Sequence, residues 1–96
     1  MNENKLIIMC GPNVIETENH TILMAKKLKT IFNKYDVKYI FKTSFDKANR
    51  SSLNSYRGPG FDEGLRILKR IKNEVGCEII TDIHECWQAK PVSEIV

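Results

Sequence analysis

The chain has 96 residues, of which 42% are hydrophobic and 28% are charged, and its formal net charge at neutral pH is +3. This length suits one modest domain, and so small and mixed a charge argues against a nucleic-acid surface. No apolar run approaches the ~20 residues that a membrane-spanning helix needs, and the amino-terminal apolar run is shorter than that of a secretory signal. Cys10, Cys77 and Cys86 form no Cys-x-x-Cys pair. That spacing favours reduced thiols and predicts a cytoplasmic protein.

The first third of the chain combines a strand pattern with a helix pattern. Residues 6–10 form a continuous apolar run, which is typical of a strand buried on both faces in a parallel sheet. Thr17 is a suitable N-cap for a following helix, and Glu18 places a negative charge in its first turn. Apolar residues at helical spacing then predict the side of this helix that faces the core. They are Met24, Leu28, Ile31 and Phe32.

The remainder repeats this alternation. A second strand is predicted over 37–41, a long polar loop over 42–60, a second helix that stops at Gly76, and a third strand over 77–82. The second helix has an inward stripe of Phe61, Leu65, Leu68, Ile71 and Val75. Residues 87–96 have mixed helical character, in which Pro91 either kinks the segment or starts a new turn. The alternation predicts an α/β fold with parallel strands, but it does not distinguish an open sheet from a barrel.

Polar residues follow each predicted strand. Asn13 follows the first strand, residues 42–52 the second, and Asp82 and His84 the third. Sites in parallel α/β folds collect at the carboxyl ends of strands. Residues 42–52 combine lysines, an arginine, an asparagine and several hydroxyl groups, all of which donate to phosphate or carboxylate oxygens. A solvated polar turn has a similar composition, so composition alone leaves both interpretations open.

The order of these residues is more specific than their composition. Residues 42–52 read Lys-Thr-Ser-Phe-Asp-Lys-Ala-Asn-Arg-Ser-Ser, which closely resembles the signature after the second strand in the 3-deoxy-D-manno-octulosonate-8-phosphate (KDO-8-phosphate) synthase family. The resemblance continues at 55–60, 81–85 and 88–92 and covers nearly the whole chain from Met9 onward. It implies a parallel (β/α)8 TIM barrel, a fold of about 250 residues. Residues 1–96 are then expected to be the incomplete amino-terminal part of one barrel domain, with three βα units.

The resemblance also implies a reaction. In the family, phosphoenolpyruvate condenses with D-arabinose 5-phosphate to give 3-deoxy-D-manno-octulosonate 8-phosphate and inorganic phosphate, a step towards the lipopolysaccharide sugar. Both substrates are anionic, so their site needs fixed cations. The implied substrate-binding residues are Lys42, Ser44 and Lys47 for phosphoenolpyruvate, and Asn49, Arg50 and Ser51 for the aldose phosphate. The implied catalytic residues are Asn13, Lys47, Asp82 and His84, the last two orienting hydroxyl groups or water.

Two further residues border this motif. Asp46 is expected to order the loop by pairing with a neighbouring cation. Arg57 precedes a Gly-Pro-Gly turn, and its role is open between supporting that turn, contacting a subunit and contacting substrate.

The resemblance bears on metal dependence as well. One branch of the family holds a divalent metal partly through a cysteine just after the Gly-Pro of the first strand. Asn13 occupies that position here, and a neutral amide is a poor replacement for a thiolate. We therefore predict no metal and no cofactor. Cys10 lies three positions earlier, inside the predicted strand, where a small buried side chain is expected.

Two alternatives stay open on the sequence. The related synthase that joins phosphoenolpyruvate to erythrose 4-phosphate shares the barrel, although the Asn-Arg-Ser-Ser run at 49–52 favours the octulosonate enzyme. A partial barrel would also expose strand edges and apolar surface. The chain alone is therefore expected to be inactive, as a fragment or an assembly partner. The resemblance implies small-molecule substrates and a homotetramer, with no nucleic-acid or membrane partner.

Overall fold

A computed structural model describes residues 5–46 and 56–96. Strands and helices alternate along the chain as β1 (Leu6–Cys10), α1 (Glu18–Phe32), β2 (Val37–Lys42), α2 (Phe61–Val75), β3 (Glu78–Ile80), a short 3-10 helix (Cys86–Gln88) and α3 (Ala89–Ser93). The strands form one parallel sheet in the order β1-β2-β3. The predicted α/β class and strand direction are confirmed, while β2 is one residue longer than predicted and β3 is shorter.

Local sequence signals set the helix ends. The Thr17 hydroxyl accepts a hydrogen bond from the backbone N–H of His20 at 3.1 Å, as expected of an N-cap. Gly76 ends α2 with a φ of 75°, a left-handed conformation that glycine adopts without a Cβ penalty. Pro91 lies in the first turn of α3, where its missing N–H removes no helical hydrogen bond. Pro91 therefore belongs to the start of a new helix and does not kink a longer one.

The core lies between the sheet and the two long helices. Its buried apolar residues include Ile15, Ile22, Ala25, Phe41, Phe45, Ile67, Leu68, Ile71, Val75 and Ile79. From α2, Leu68, Ile71 and Val75 are buried as predicted, and Phe61 and Leu65 are partly buried against them. Gly64 and Ile67 are buried too, although the predicted stripe omitted them.

The buried side of α1 agrees with the prediction in part. Met24 and Leu28 are partly buried against the core as predicted, whereas Ile31 is 46% exposed. The buried residues of α1 are Thr21, Ile22 and Ala25, which the prediction omitted. The Thr21 hydroxyl donates to the Thr17 carbonyl oxygen at 2.7 Å, so its polar group is satisfied inside the helix. A small alanine and a threonine with a satisfied hydroxyl group can therefore face the core.

The prediction that β1 is buried on both faces is wrong for this chain. Leu6, Ile7 and Met9 are each more than half exposed, and Cys10 is only partly buried. Among the described strands β1 pairs with β2 alone, so its second edge has no described neighbour. The continuous apolar run is typical of a strand in a parallel sheet, but such a strand is buried only where other elements cover both of its faces. Within residues 5–46 and 56–96, none of the helices has the length and apolar character to cross a bilayer.

Candidate functional site

The carboxyl ends of β2 and β3 lie side by side. Lys42 at the end of β2 is in register with Ile80 at the end of β3, so the residues that follow both strands emerge together. Just beyond these ends, the Thr81 hydroxyl donates to the Thr43 carbonyl oxygen at 2.8 Å. The buried Ser44 hydroxyl donates to Asp82 Oδ1 at 2.6 Å. Two sequence-predicted residues, Ser44 and Asp82, are thus in direct contact.

His84 joins the same cluster. Its Nε2 lies 2.6 Å from the Asp46 carbonyl oxygen and 3.5 Å from Asp82 Oδ2. Its backbone N–H donates to Gln88 Oε1 at 2.9 Å, and Gln88 is buried. The imidazole also meets the Phe45 ring edge-on, with 6.0 Å between ring centroids. The prediction that His84 lies beside Asp82 at the strand ends is confirmed, and its closest polar contact is to the backbone of residue 46.

The carboxylate of Asp46 pairs with Arg57. Arg57 Nε and Nη2 donate to the two carboxylate oxygens at 2.8 and 2.9 Å, which is the bidentate geometry that arginine favours. The expected pairing of Asp46 with a neighbouring cation is therefore confirmed. The observed contact of Arg57 is structural, because it links the chain just before α2 to the residue that follows Phe45.

Phe45 is the apolar anchor of this region. Its side chain is only 1% exposed, and its carbonyl oxygen accepts a hydrogen bond from Gly60 N–H at 3.1 Å. A Cβ on Gly64 would lie 2.2 Å from the Phe45 Cβ, so α2 can approach the phenylalanine only through a glycine. Gly58 has a φ of 117°, and a Cβ there would lie 2.4 Å from the Phe45 carbonyl oxygen. Because they lack a Cβ, Gly58 and Gly64 can both pack directly against Phe45.

The end of β1 borders the same edge of the sheet. A Cβ on Gly11 would lie 2.0 Å from the Lys42 carbonyl oxygen, so the loop after β1 runs against the end of β2. Tyr39 donates to the Cys10 carbonyl oxygen at 2.9 Å, and burial raises the pKa of its phenol above the ordinary value. Asn13 and Lys42 are both exposed at this edge. Lys47, Asn49, Arg50 and Ser51, the other predicted site residues, lie outside the described residues.

Sequence reasoning did not identify several contacts that shape the site. The Tyr56 hydroxyl donates to the Ile15 carbonyl oxygen at 3.0 Å, tying the chain before α2 to the loop after β1. Gln88 accepts from the backbone N–H groups of both His84 and Glu85. The Ser-Tyr-Arg-Gly-Pro-Gly and Gln-Ala motifs contain Tyr56 and Gln88, so the resemblance marks these positions without revealing their contacts. In residues 5–46 and 56–96, His, Cys, Asp and Glu nowhere form a group of three or more placed to hold a metal ion.

A parallel α/β scaffold with hydroxyl, carboxylate and imidazole groups gathered at the strand ends defines the class of proteins whose sites lie at the carboxyl edge of a sheet. Residues 2–96 match the family model described as the DAHP synthetase I family, and the chain belongs to that family. The family has the TIM-barrel fold, so the β1–α1–β2–α2–β3 order observed here is part of such a barrel.

Curated relatives agree with the resemblance. The chain is 52% identical over 91 residues to a 2-dehydro-3-deoxyphosphooctonate aldolase of Campylobacter jejuni subsp. doylei, covering 95% of this chain and 34% of that protein. Proteins of the same name from Protochlamydia amoebophila and Colwellia psychrerythraea are 53% identical over 94 residues and 50% identical over 95 residues. These alignments cover 95% and 99% of this chain, and 34% of each relative. The name is a synonym of KDO-8-phosphate synthase, so the resemblance to that family is confirmed. The chain spans about a third of the length of the curated relatives it matches.

Proposed function

We propose that this chain is the amino-terminal part of a KDO-8-phosphate synthase, with residues 1–96 as an incomplete barrel domain. The enzyme would condense phosphoenolpyruvate with D-arabinose 5-phosphate to give 3-deoxy-D-manno-octulosonate 8-phosphate and phosphate. The observation that carries the proposal is the meeting of Ser44, Asp82 and His84 at the ends of β2 and β3. These contacts occur in a chain that is 52% and 50% identical in sequence to two proteins named 2-dehydro-3-deoxyphosphooctonate aldolase. That name favours arabinose 5-phosphate over erythrose 4-phosphate as the aldose.

The reaction makes a carbon–carbon bond and breaks a carbon–oxygen bond. Carbon three of the enol attacks the aldehyde carbon, whose oxygen takes up a proton. Water attacks carbon two, and the phosphate leaves with the former enol oxygen. Negative charge is present on both substrates throughout, so cationic groups fixed in place bind and orient them. Holding both substrates side by side also removes much of the entropic barrier.

The residues divide into roles by position. Lys42 and Lys47 would bind the carboxylate and phosphate of phosphoenolpyruvate. The exposure of Lys42 at the end of β2 supports this role for Lys42. Ser44 would act by holding Asp82, whose side chain is 42% exposed and can therefore reach a bound substrate or water. The remaining assignments are Asn49, Arg50 and Ser51 to the aldose phosphate, and Asn13 and Asp82 to the reacting atoms or their water. The sequence predicts this last role for His84 as well.

Lys42 offers the most direct test of the site. In an active preparation, Lys42→Ala should lower kcat/KM for phosphoenolpyruvate about 10- to 100-fold, because a charge-assisted hydrogen bond is lost. Lys34→Ala, which removes another exposed lysine beyond the end of α1, serves as the matched control. Equal effects of the two substitutions would remove Lys42 from the site.

The substrate assignment is tested by turnover with each aldose. Phosphate release from phosphoenolpyruvate should depend on D-arabinose 5-phosphate and should be far slower with erythrose 4-phosphate. Faster release with erythrose 4-phosphate would assign the chain to the related synthase. We also propose metal-independent chemistry, because Asn13 offers an amide where a metal site would need a thiolate. Activity should therefore survive chelation, and a loss restored by Mn²⁺ or Zn²⁺ would contradict this.

A non-catalytic role for the chain by itself is the second candidate. The observation that favours it is the exposure of three apolar residues on the two faces of β1, Leu6, Ile7 and Met9, which a closed barrel would cover. Size measurement and a turnover assay on the 96-residue chain separate the candidates. A folded, active monomer would rule out the fragment role. For the complete enzyme we propose a cytoplasmic homotetramer, because the family acts on phosphorylated metabolites and its sites lie near subunit contacts.

A further inference from the structure

Residue 46 is held at both its main chain and its side chain. The carbonyl oxygen of Asp46 lies 2.6 Å from His84 Nε2, while its carboxylate makes the bidentate pair with Arg57. The residue before it, Phe45, is buried, and its carbonyl oxygen accepts from Gly60. Chain segments before α2 and after β3 therefore both hold residues 45 and 46 in place. The next residue in the sequence is Lys47, which is proposed to bind phosphoenolpyruvate.

The contact between His84 and Asp46 defines where the imidazole carries its proton. A carbonyl oxygen only accepts hydrogen bonds, so His84 Nε2 must carry the hydrogen in the 2.6 Å contact. The second neighbour of Nε2, Asp82 Oδ2 at 3.5 Å, is also an acceptor when ionised and favours the same arrangement. Nε2, whose proton is directed at the backbone, therefore has no lone pair with which to take a proton from a substrate, and this side of the ring is committed to holding residue 46.

We propose that His84 is a positioning residue, which donates from Nε2 to the Asp46 carbonyl oxygen and so holds the backbone at Asp46, the residue before Lys47 in the sequence. This replaces the role at the reacting atoms that the sequence predicts for His84. The inference rests on the proposed function, because it assigns His84 a part in binding phosphoenolpyruvate. Asp82, which shares this cluster through Ser44, keeps its place beside the substrate.

Substitutions of His84 separate positioning from acid–base catalysis. His84→Gln retains an N–H donor that can reach the Asp46 carbonyl oxygen, but it cannot exchange a proton at neutral pH. His84→Phe retains a ring against Phe45 and has no donor. The chain has two histidines, so His20→Gln, on the exposed part of α1, is the matched control and leaves His84 as the only histidine.

The first measurement needs no substrate. In the His20→Gln chain, nitrogen-15 NMR of the single remaining imidazole should show a hydrogen-bonded proton on Nε2. A ring whose only proton is on Nδ1 would overturn the proposal, because Nε2 could not then donate to Asp46. Adding His84→Phe should change the amide shift of residue 47. No change there would show that the contact does not fix the chain, and would also overturn the proposal.

The second measurement uses turnover, or phosphoenolpyruvate binding by calorimetry. His84→Phe should raise KM or Kd for phosphoenolpyruvate about 10- to 100-fold, the cost expected of a misplaced binding group, with a smaller change in kcat. His84→Gln should restore the value to within about threefold of the unsubstituted chain, whereas loss of a true general acid or base would lower kcat at least about 100-fold. A kcat loss of that size in His84→Gln, with KM unchanged, would overturn the proposal. An unsubstituted chain that neither binds nor turns over phosphoenolpyruvate would instead favour the non-catalytic role of the chain by itself, and the NMR result would still decide whether His84 holds Asp46.

Discussion

Two polar clusters of this molecule contain similar side chains but have different structural roles. The strand-end cluster lies beyond β2 and β3 and comprises Ser44, Asp46, Arg57, Asp82 and His84. The helix-face cluster joins α1 to α2 and comprises Glu18, Glu63, Arg66, Arg70 and Glu74. Each contains carboxylates and cations in direct contact, so composition does not distinguish them.

Their partners do distinguish them. In the helix-face cluster every contact joins one charged side chain to another, and Glu18 accepts from both Arg66 and Arg70. The cations there are already neutralised and are held at the surface, which makes the cluster a connection between two helices. The strand-end cluster instead reaches the backbone, through His84 to the Asp46 carbonyl oxygen, and it lies against the buried Phe45. It therefore sets the shape of the chain at the edge of the sheet.

The strand-end cluster should depend most on Phe45. Phe45→Ala is expected to lower the free energy of unfolding by about 3–5 kcal/mol, because it leaves a cavity between the strand ends and the start of α2. Urea denaturation followed by circular dichroism measures the change. Tyr35→Ala, at a tyrosine that is 63% exposed, should change stability far less. Similar losses for the two aromatic residues would show that Phe45 is not a packing anchor.

Gly64 provides the reciprocal test of the same contact. Gly64→Ala adds a Cβ that would lie 2.2 Å from the Phe45 Cβ, and it should destabilise the chain by about 1–3 kcal/mol despite the higher helix propensity of alanine. Combined with Phe45→Gly, which removes the Cβ itself, the same alanine should be tolerated, because the conflicting atom is gone. Additive losses in the double variant would show that the two residues do not compete for the same space.

The sequence predicts the helix ends better than it predicts the contacts of the strand-end cluster. Thr17 and Gly76 were predictable as helix ends because capping depends on a few neighbouring residues. The pairing of Asp46 with some cation was predictable from residue type, but the choice of Arg57, 11 positions away, depends on how the intervening chain returns. The contact of His84 with a carbonyl oxygen was not predictable, since every residue carries that acceptor.

Burial was predictable only where the neighbours lie within the chain. Leu68, Ile71 and Val75 are buried as predicted because α2 packs against β3 and α1. Ile31, together with Leu6, Ile7 and Met9 of β1, has the same apolar character and is exposed. Hydrophobic periodicity records which side of an element prefers burial, but a second surface must be present to bury it.

The helix-face cluster should respond to acid. Hydrogen bonds from Arg66 and then Arg70 lower the pKa of Glu18 to about 2, from an ordinary value of 4.5. A lowered folded-state pKa contributes stability that is fully present above about pH 4.5 and is lost as the pH falls towards about 2. Glu18→Gln should therefore be slightly less stable than the unsubstituted chain at pH 7, and the difference should shrink as the pH falls through this window.

The control for this experiment is Glu16→Gln, at an exposed glutamate just before α1. Because the helix-face cluster is at the surface, added salt should also reduce the effect of Glu18→Gln. A difference between Glu18→Gln and the unsubstituted chain that grows as the pH falls from 4.5 to about 2 would contradict the sign derived from the lowered pKa.

The smallest expected effect concerns access to the two ends of β3. Cys86 is exposed and follows the strand-end cluster, whereas Cys77 is buried just before β3, at the opposite end of the sheet. Burial raises the pKa of the Cys77 thiol and so lowers its thiolate fraction, and the thiolate is the form that reacts. Brief treatment with iodoacetamide, followed by peptide mass spectrometry, should modify Cys86 first and Cys77 last, with Cys10 between them. Under denaturing conditions all three should react alike, since only folding separates them. Faster modification of Cys77 than of Cys86 in the folded chain would mean that the sheet opens at the amino end of β3, and that the strand-end cluster is the better-protected side.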